Sequence, residues 1–282
     1  MLGEPLPRVK AKSIQGELCY IADINDLGDM LLAHFEATAA LTPKRLAVSV
    51  LVLPSYRAEV GPELIESLAE LGYRADLVRV ETSTHKGRAS VTPSPITASF
   101  RLCQLPPSTT PFSAMLFGLC YCQTSLILLA SGGIRLAAEE VALLLQRQEE
   151  TSAGVVVATR YASGSRSKHP WRYRILSAMV REYLRILTGN PLRDPRSGLK
   201  LFQRDALFAF IREVHRTGIP FDPHDLTLLT SRGSQAIVEV PVEARFSDAP
   251  FGISSALARH VIITPLRYRS ALFRKLSRTT ST

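Results

Sequence analysis

Asp194-Pro195-Arg196-Ser197-Gly198-Leu199-Lys200-Leu201-Phe202-Gln203-Arg204-Asp205-Ala206-Leu207 is the stretch whose reading decides the fold. Asp194-Pro195 favours a turn, because a proline pushes the residue before it out of the helical region. Gly198 is the residue that could adopt a backbone angle others resist. Leu199, Leu201 and Phe202 around Lys200 read as a short apolar strand. Asp205 then falls in the first turn of a helix, where a carboxylate suits the helix dipole.

Upstream, residues 46–53 form a strongly apolar run of the kind buried in a parallel sheet, and Pro54 stops it. Residues 62–71 fit an amphipathic helix with proline at its start and Gly72 after its end. A second strand is predicted over 76–80, and 82–110 is a Ser-, Thr- and Pro-rich connection holding one short strand near 99–102. A buried helix over 112–123, a strand over 125–130, a helix over 136–148 and a strand over 154–159 follow. A basic loop and a helix over 174–188 lead into the opening stretch; beyond it come helices over 204–215 and 223–231, a strand over 236–242 and a basic C-terminal helix. Alternating strands and helices predict an α/β fold, a mainly parallel sheet flanked by helices. The expected organisation is an N-terminal extension at 1–45 with a helix over 27–40, one domain at 46–252, and a basic amphipathic tail at 253–282.

A chain of 282 residues can bury a sizeable core, and its net charge of +9 points to an acidic partner: phosphate, nucleic acid or anionic lipid. Cys19, Cys103, Cys120 and Cys122 form no CxxC pair and no histidine cluster accompanies them, so free thiols in a reducing, cytoplasmic setting are expected. The N-terminus lacks the apolar core of a signal peptide. Residues 102–134 carry no charge, but Gln123-Thr124-Ser125 interrupts an apolar run already too short to span a bilayer.

The opening stretch resembles the D-P-x-S-G-(F/L)-(R/K)-L-(F/Y)-x-(R/K) signature of family 2 glycosyltransferases, in the branch that includes the dolichyl-phosphate mannose synthases. The resemblance runs in order over about 46–275 and implies the nucleotide-sugar transferase (GT-A, Rossmann-like) fold. It also implies transfer of a sugar from a nucleotide sugar to a polyprenyl phosphate, with inversion. Pro54-Ser55-Tyr56 matches the end of the family's first strand, though Arg57 and Ala58 replace its Asn and Glu. Glu81 is the one acid left of the second strand's V-D-D-G-S. The D-x-D that holds magnesium or manganese in the family is replaced by Ser131-Gly132-Gly133, so no metal is expected. Ala158-Thr159-Arg160-Tyr161 matches (G/S)-S-R-Y, and Arg174 and Arg245 match two further arginines. The family's G-x-S-K appears as Gly252-Ile253-Ser254-Ser255, without its lysine.

By this resemblance Arg160, Arg174 and Arg245 approach a donor diphosphate or a lipid phosphate, which guanidinium binds bidentately. Pro54, Tyr56, Glu81, Ser197 and Ser254 complete the candidate binding set. Asp194 matches the acid near the acceptor phosphate; it is either catalytic or a cap on its own turn. Residues 254–278 interleave six Lys and Arg with bulky apolar residues and no acid, a composition suited to a helix on an anionic bilayer surface or docked on the domain. Two functional classes stay open: the transferase, and a catalytically inactive relative that serves as a binding or scaffold protein for a protein partner. Nucleic acid ranks last, because no module for it is recognisable.

Overall fold

The computed structural model describes residues 9–12, 18–21, 47–54, 60, 63–82, 90–93, 100–105, 109–131, 136–161, 171–189, 191–217, 223–224, 236–242 and 266. The chain divides into two compact units, Met1–Ala130 and Ser131–Thr282.

In the first unit, Val9–Lys12 (β1) and Leu18–Ile21 (β2) form an antiparallel pair. Four-residue strands are too short to show a period, and the sequence reading does not anticipate them. The expected helix over 27–40 lies outside the described residues. The main sheet of this unit is built on Ala47–Val52 (β3), whose side chains are buried on both faces. Its neighbours Arg74–Thr82 (β4) and Leu126–Ala130 (β7) both run parallel to it, with Ala47 opposite Arg74 and Val48 opposite Leu126. The ladder continues one residue past β3, where the Leu53 amide donates to the Ala130 carbonyl at 2.9 Å. On the other side β4 pairs parallel with Phe100–Leu105 (β6). Ser90–Pro93 (β5) then adds to β6 antiparallel, so the order in this unit is β7-β3-β4-β6-β5. β5 lies inside the connection expected to be irregular. Its proline suits an edge strand, where a missing amide costs no ladder bond.

Two helices cover this sheet. Glu63–Glu70 (α1) ends where Gly72 takes φ of +87°, letting the Tyr73 amide reach the Leu68 carbonyl at 2.8 Å. Pro111–Leu119 (α2) starts with a Thr110 hydroxyl accepting from the Ser113 amide at 3.1 Å. Residues Ala114 to Leu119 are all buried, which accounts for a run without amphipathic period. A Cβ on Gly118 would overlap the Leu51 side chain, so glycine is what lets α2 lie this close to β3. The apolar stretch is thus a buried helix followed by a buried strand. Among the described residues no helix is long and apolar enough to cross a membrane.

In the second unit, Val155–Thr159 (β8) is buried at every position. Ala138–Thr151 (α3) precedes it, buries Val141, Leu144 and Leu145, and ends with Ser152 in the left-handed region at φ 50°. Leu199–Gln203 (β9) pairs antiparallel with β8, Val155 opposite Phe202. Ile237–Pro241 (β10) pairs parallel on the other side, Val155 opposite Ile237. Trp171–Thr188 (α4) and Arg204–Thr217 (α5) are the helices between these strands, with Asp205 in the first turn of α5 as expected. α4 begins before residue 174, so Arg174 lies within its first turn. Phe202, Leu201 and Leu207 are fully buried, each stabilising the fold by about 1.5–3 kcal/mol. Because β9 runs against β8, the turn 194–198 arrives at the carboxyl ends of β8 and β10. In open α/β sheets this is the end where ligands bind.

Candidate functional site

Three loops of the second unit converge there. Arg160 follows the last residue of β8, and its guanidinium grips Asp194 with two bonds: Nε donates to Oδ2 at 2.6 Å and Nη2 to Oδ1 at 2.7 Å. The Arg160 amide also donates to Oδ2, at 3.2 Å. Asp194 is 3% exposed and the Arg160 side chain 19%, so the pair sits largely out of water. Burial by itself would lower the Arg160 pKa; the Asp194 charge and hydrogen bonds outweigh it and hold the guanidinium above its usual range. From β10, Glu239 Oε1 accepts the Asp194 amide at 2.9 Å. The carboxylate of Asp194 therefore does not cap its own turn. That turn is closed by backbone, the Ser197 amide donating to the Asp194 carbonyl at 3.1 Å.

Tyr161 extends this cluster onto α4. Its hydroxyl is hydrogen-bonded to Ser177, and two guanidinium groups approach its ring, Arg160 at 5.4 Å and Arg181 at 5.2 Å from the centroid. Such stacking holds the loop after β8 against the helix.

Ser197 is fully buried and exchanges hydrogen bonds with Leu199, its hydroxyl meeting both the Leu199 amide and carbonyl at 3.3 Å. Gly198 does not take a positive φ; the sequence-based reason for glycine there needs correcting. What demands it is a close approach: the Ser131 amide donates to the Gly198 carbonyl at 2.7 Å, and a Cβ on Gly198 would overlap the Ser131 carbonyl oxygen. Ser131, the first residue of the segment read as the replaced D-x-D, thus lies directly on the D-P-x-S-G turn. The Ser131 hydroxyl faces the Gly198 carbonyl at 3.3 Å and His224 Nδ1 at 3.4 Å. Lys200, 2% exposed, donates from Nζ to the His224 carbonyl at 2.5 Å.

Of the residues named from sequence, Arg160, Asp194 and Ser197 are brought together. Pro54 and Glu81 belong to the first unit. Pro54 follows Leu53 at the end of the β3 ladder, and Glu81 near the end of β4 accepts from Arg79 Nε at 2.7 Å. The Arg174 side chain, Tyr56, Arg245, Ser254 and the tail 254–278 apart from Leu266 lie outside the described residues, as does the predicted helix over 223–231 apart from its first two residues. His224, Lys200 and Glu239 were not singled out as site residues. A lone histidine gives no local signal, whereas a lysine inside an apolar strand is the one clue the sequence offers.

Among the described residues a divalent ion finds poor ligands. Ser131 has a hydroxyl already directed at a carbonyl, the two glycines after it have no side chain, and Asp194 is bound by Arg160. Among the described residues no group of three His, Cys, Asp or Glu stands close enough to share an ion.

No protein-family model matches the sequence, and no curated protein matches it. Solved structures do. The chain is similar to glucosyl-3-phosphoglycerate synthase from Mycobacterium tuberculosis in complex with Mn2+, UDP-glucose and phosphoglyceric acid, with 18% identity, TM-score 0.54, and 86% of this chain covering 84% of that one. The same enzyme with phosphoglyceric acid alone aligns at 18% identity and TM-score 0.50, over 85% of this chain and 83% of that one. Mannosyl-3-phosphoglycerate synthase from Rubrobacter xylanophilus aligns at 15% identity and TM-score 0.49, over 91% of this chain and 79% of that one. The chain has the GT-A nucleotide-sugar transferase fold. The Arg160–Asp194–Glu239 group and the Ser131–Gly198–His224 group both lie at the carboxyl end of the second unit's strands, the end where open α/β sheets bind ligands.

Proposed function

We propose that the protein is a glycosyltransferase that moves a sugar from a nucleoside-diphosphate sugar onto an acceptor phosphate, with a polyprenyl phosphate as acceptor. The observation that carries this reading is the bidentate Arg160–Asp194 pair. A sugar or glycerate hydroxyl needs a base to take its proton. Asp194, with both oxygens already accepting from Arg160, is poorly placed for that work. A phosphate monoester needs no base, because its second ionisation lies near pH 6 and it is already dianionic at neutral pH.

The step is then a single displacement. A phosphate oxygen attacks the anomeric carbon, the bond from that carbon to the diphosphate breaks, and the nucleoside diphosphate leaves with the electron pair. Configuration at the carbon inverts, and no proton moves. Asp194 fixes Arg160, and the guanidinium edge that Asp194 does not use can meet an acceptor or leaving phosphate. Tyr161, whose ring meets both Arg160 and Arg181, helps keep that edge from swinging away. The similar M. tuberculosis structure holds Mn2+, UDP-glucose and phosphoglyceric acid, which supports nucleotide-sugar binding here.

The test incubates the protein with UDP-glucose or GDP-mannose and either a short polyprenyl phosphate or 3-phosphoglycerate, and follows products by mass spectrometry. Glycosylated lipid phosphate is the expected product; transfer to the glycerate hydroxyl alone would refute the acceptor argument. A second reading, a nucleotide-sugar binder without transfer, is favoured by Ser131 standing where the family has a carboxylate. Nucleotide binding with no product from any pair would select it.

A further inference from the structure

We infer that Arg181 is a phosphate-binding residue of this site, holding a phosphate group of one of the two substrates; this rests on the transfer reading above. The argument begins with charge. The Arg160 guanidinium is committed to Asp194 by two hydrogen bonds, and Glu239 accepts the Asp194 amide. One formal positive charge thus stands among two negative ones. A phosphate approaching the free edge of Arg160 gains little from the field of that group alone, and it needs a further cation whose charge is not already matched.

The other described cations at this end are less suited. Lys200 is buried and donates to the His224 carbonyl, and Arg196 in the turn already has a partner. Arg193 is exposed, where water weakens its pull. Arg181 differs from all three. It is half-buried on α4, its guanidinium carbon lies 5.2 Å from the Tyr161 centroid, and among the described residues no acid meets it. Glu182, the next residue, leaves the helix about 100° further round and pairs with Arg185 at 3.7 Å on the exposed side.

The place of Arg181 is built by the fold. Ser177 and Arg181 are four residues apart and so share one face of α4. Both meet Tyr161, the first at its hydroxyl and the second over its ring. Tyr161 directly follows Arg160, and the same ring meets both guanidinium groups, so Arg181 is anchored one side chain away from the Asp194-bound arginine. The attraction to the ring uses the charge of the guanidinium and leaves its N–H donors for another acceptor. Those donors match phosphate oxygens two at a time.

Isothermal titration of the full-length protein with UDP, with GDP and with geranyl phosphate, each with and without Mn2+, tests the inference. Arg181→Met should melt close to the native protein, because its one recorded contact is a ring at a half-buried position. It should bind at least one of these ligands about tenfold or more weakly, the range for losing a charged hydrogen bond. Arg181→Lys, which keeps the charge without the two-pronged donor set, should recover part of the loss. A loss confined to geranyl phosphate assigns Arg181 to the acceptor, and one confined to the nucleotide assigns it to the donor diphosphate. Affinity within about twofold of native for every ligand, in a folded Arg181→Met or in Arg181→Gln as the second variant, overturns the inference and leaves the transfer reading standing. Failure of the native protein to bind any of the three removes both.

Discussion

Replacing Asp194 by alanine should cost far more stability than a lost turn residue. The carboxylate accepts from Arg160 Nε at 2.6 Å, from Nη2 at 2.7 Å and from the Arg160 amide at 3.2 Å. Losing an ordinary cap costs about 1 kcal/mol. Here the variant leaves a guanidinium in place with its counter-charge gone, in a site where Asp194 is 3% exposed and Arg160 19%. Breaking a buried pair from one side costs about 3–5 kcal/mol, so a value near 3 is expected once the partial exposure of Arg160 is allowed for. At about 2–4 °C per kcal/mol for a unit of this size, the melting temperature should fall on the order of 10 °C. Asp194→Asn keeps the shape and one acceptor and should fall between the two. The decisive measurement is a double-mutant cycle by urea denaturation. Arg160→Met combined with Asp194→Ala removes both charges and should be more stable than the sum of the single losses, by about 2 kcal/mol or more. A loss below about 1 kcal/mol for Asp194→Ala, or strict additivity in the cycle, would refute the buried-pair argument and leave Asp194 as an ordinary turn residue.

Gly198→Ala should lower soluble yield and melting temperature sharply, by about 2 kcal/mol or more, since the added Cβ meets a carbonyl oxygen rather than a movable side chain; a wild-type melt would show that the turn can shift. Cys103, whose thiol is pushed up to about 12, first by burial and then by Cys120, against Arg101, should resist iodoacetamide at pH 8 in the folded protein. Its raised pKa means the neutral thiol's stability is fully present below the unfolded value near 8.5 and is lost as pH climbs from about 9 toward 12; denaturation midpoints at pH 7, 9 and 10.5 compared with Cys103→Ala would show it. Deleting residues after Ser254 should abolish salt-sensitive binding to vesicles of anionic lipid, each Lys or Arg contributing about 1 kcal/mol near such a surface. Equal binding to neutral vesicles, or full retention by the truncated chain, would make the tail a docked structural segment.

The strand order in sequence was legible because each central strand is apolar at nearly every position. Runs such as Ala47–Val52 and Val155–Thr159 are buried on both faces, and that leaves a continuous hydrophobic signal. Edge and terminal strands were missed for the opposite reason. Ser90–Pro93 is half polar and ends in proline, and nothing local distinguishes it from loop. The D-P-x-S-G stretch gave turn, strand and helix correctly, but its glycine was read through the wrong physics. Conformational freedom is a local property, whereas the approach of Ser131 to Gly198 joins residues far apart in the chain.

The sequence by itself determined the alternation of elements, the parallel core and the absence of carboxylates between β7 and α3, because each depends on side-chain identity and spacing along the chain. Only the tertiary structure decided what the polar residues do. The sequence leaves Asp194 as a cap or a catalyst, and only the fold brings Arg160, in the loop after β8, to grip it. His224, inside the helix predicted over 223–231, was unremarked until the fold set it beside Ser131, with Lys200 bonded to its carbonyl. Hydrophobic patterning is read locally because burial acts on each side chain separately. Charge pairing and close backbone contact are properties of two segments at once, and chain closure alone brings those segments together.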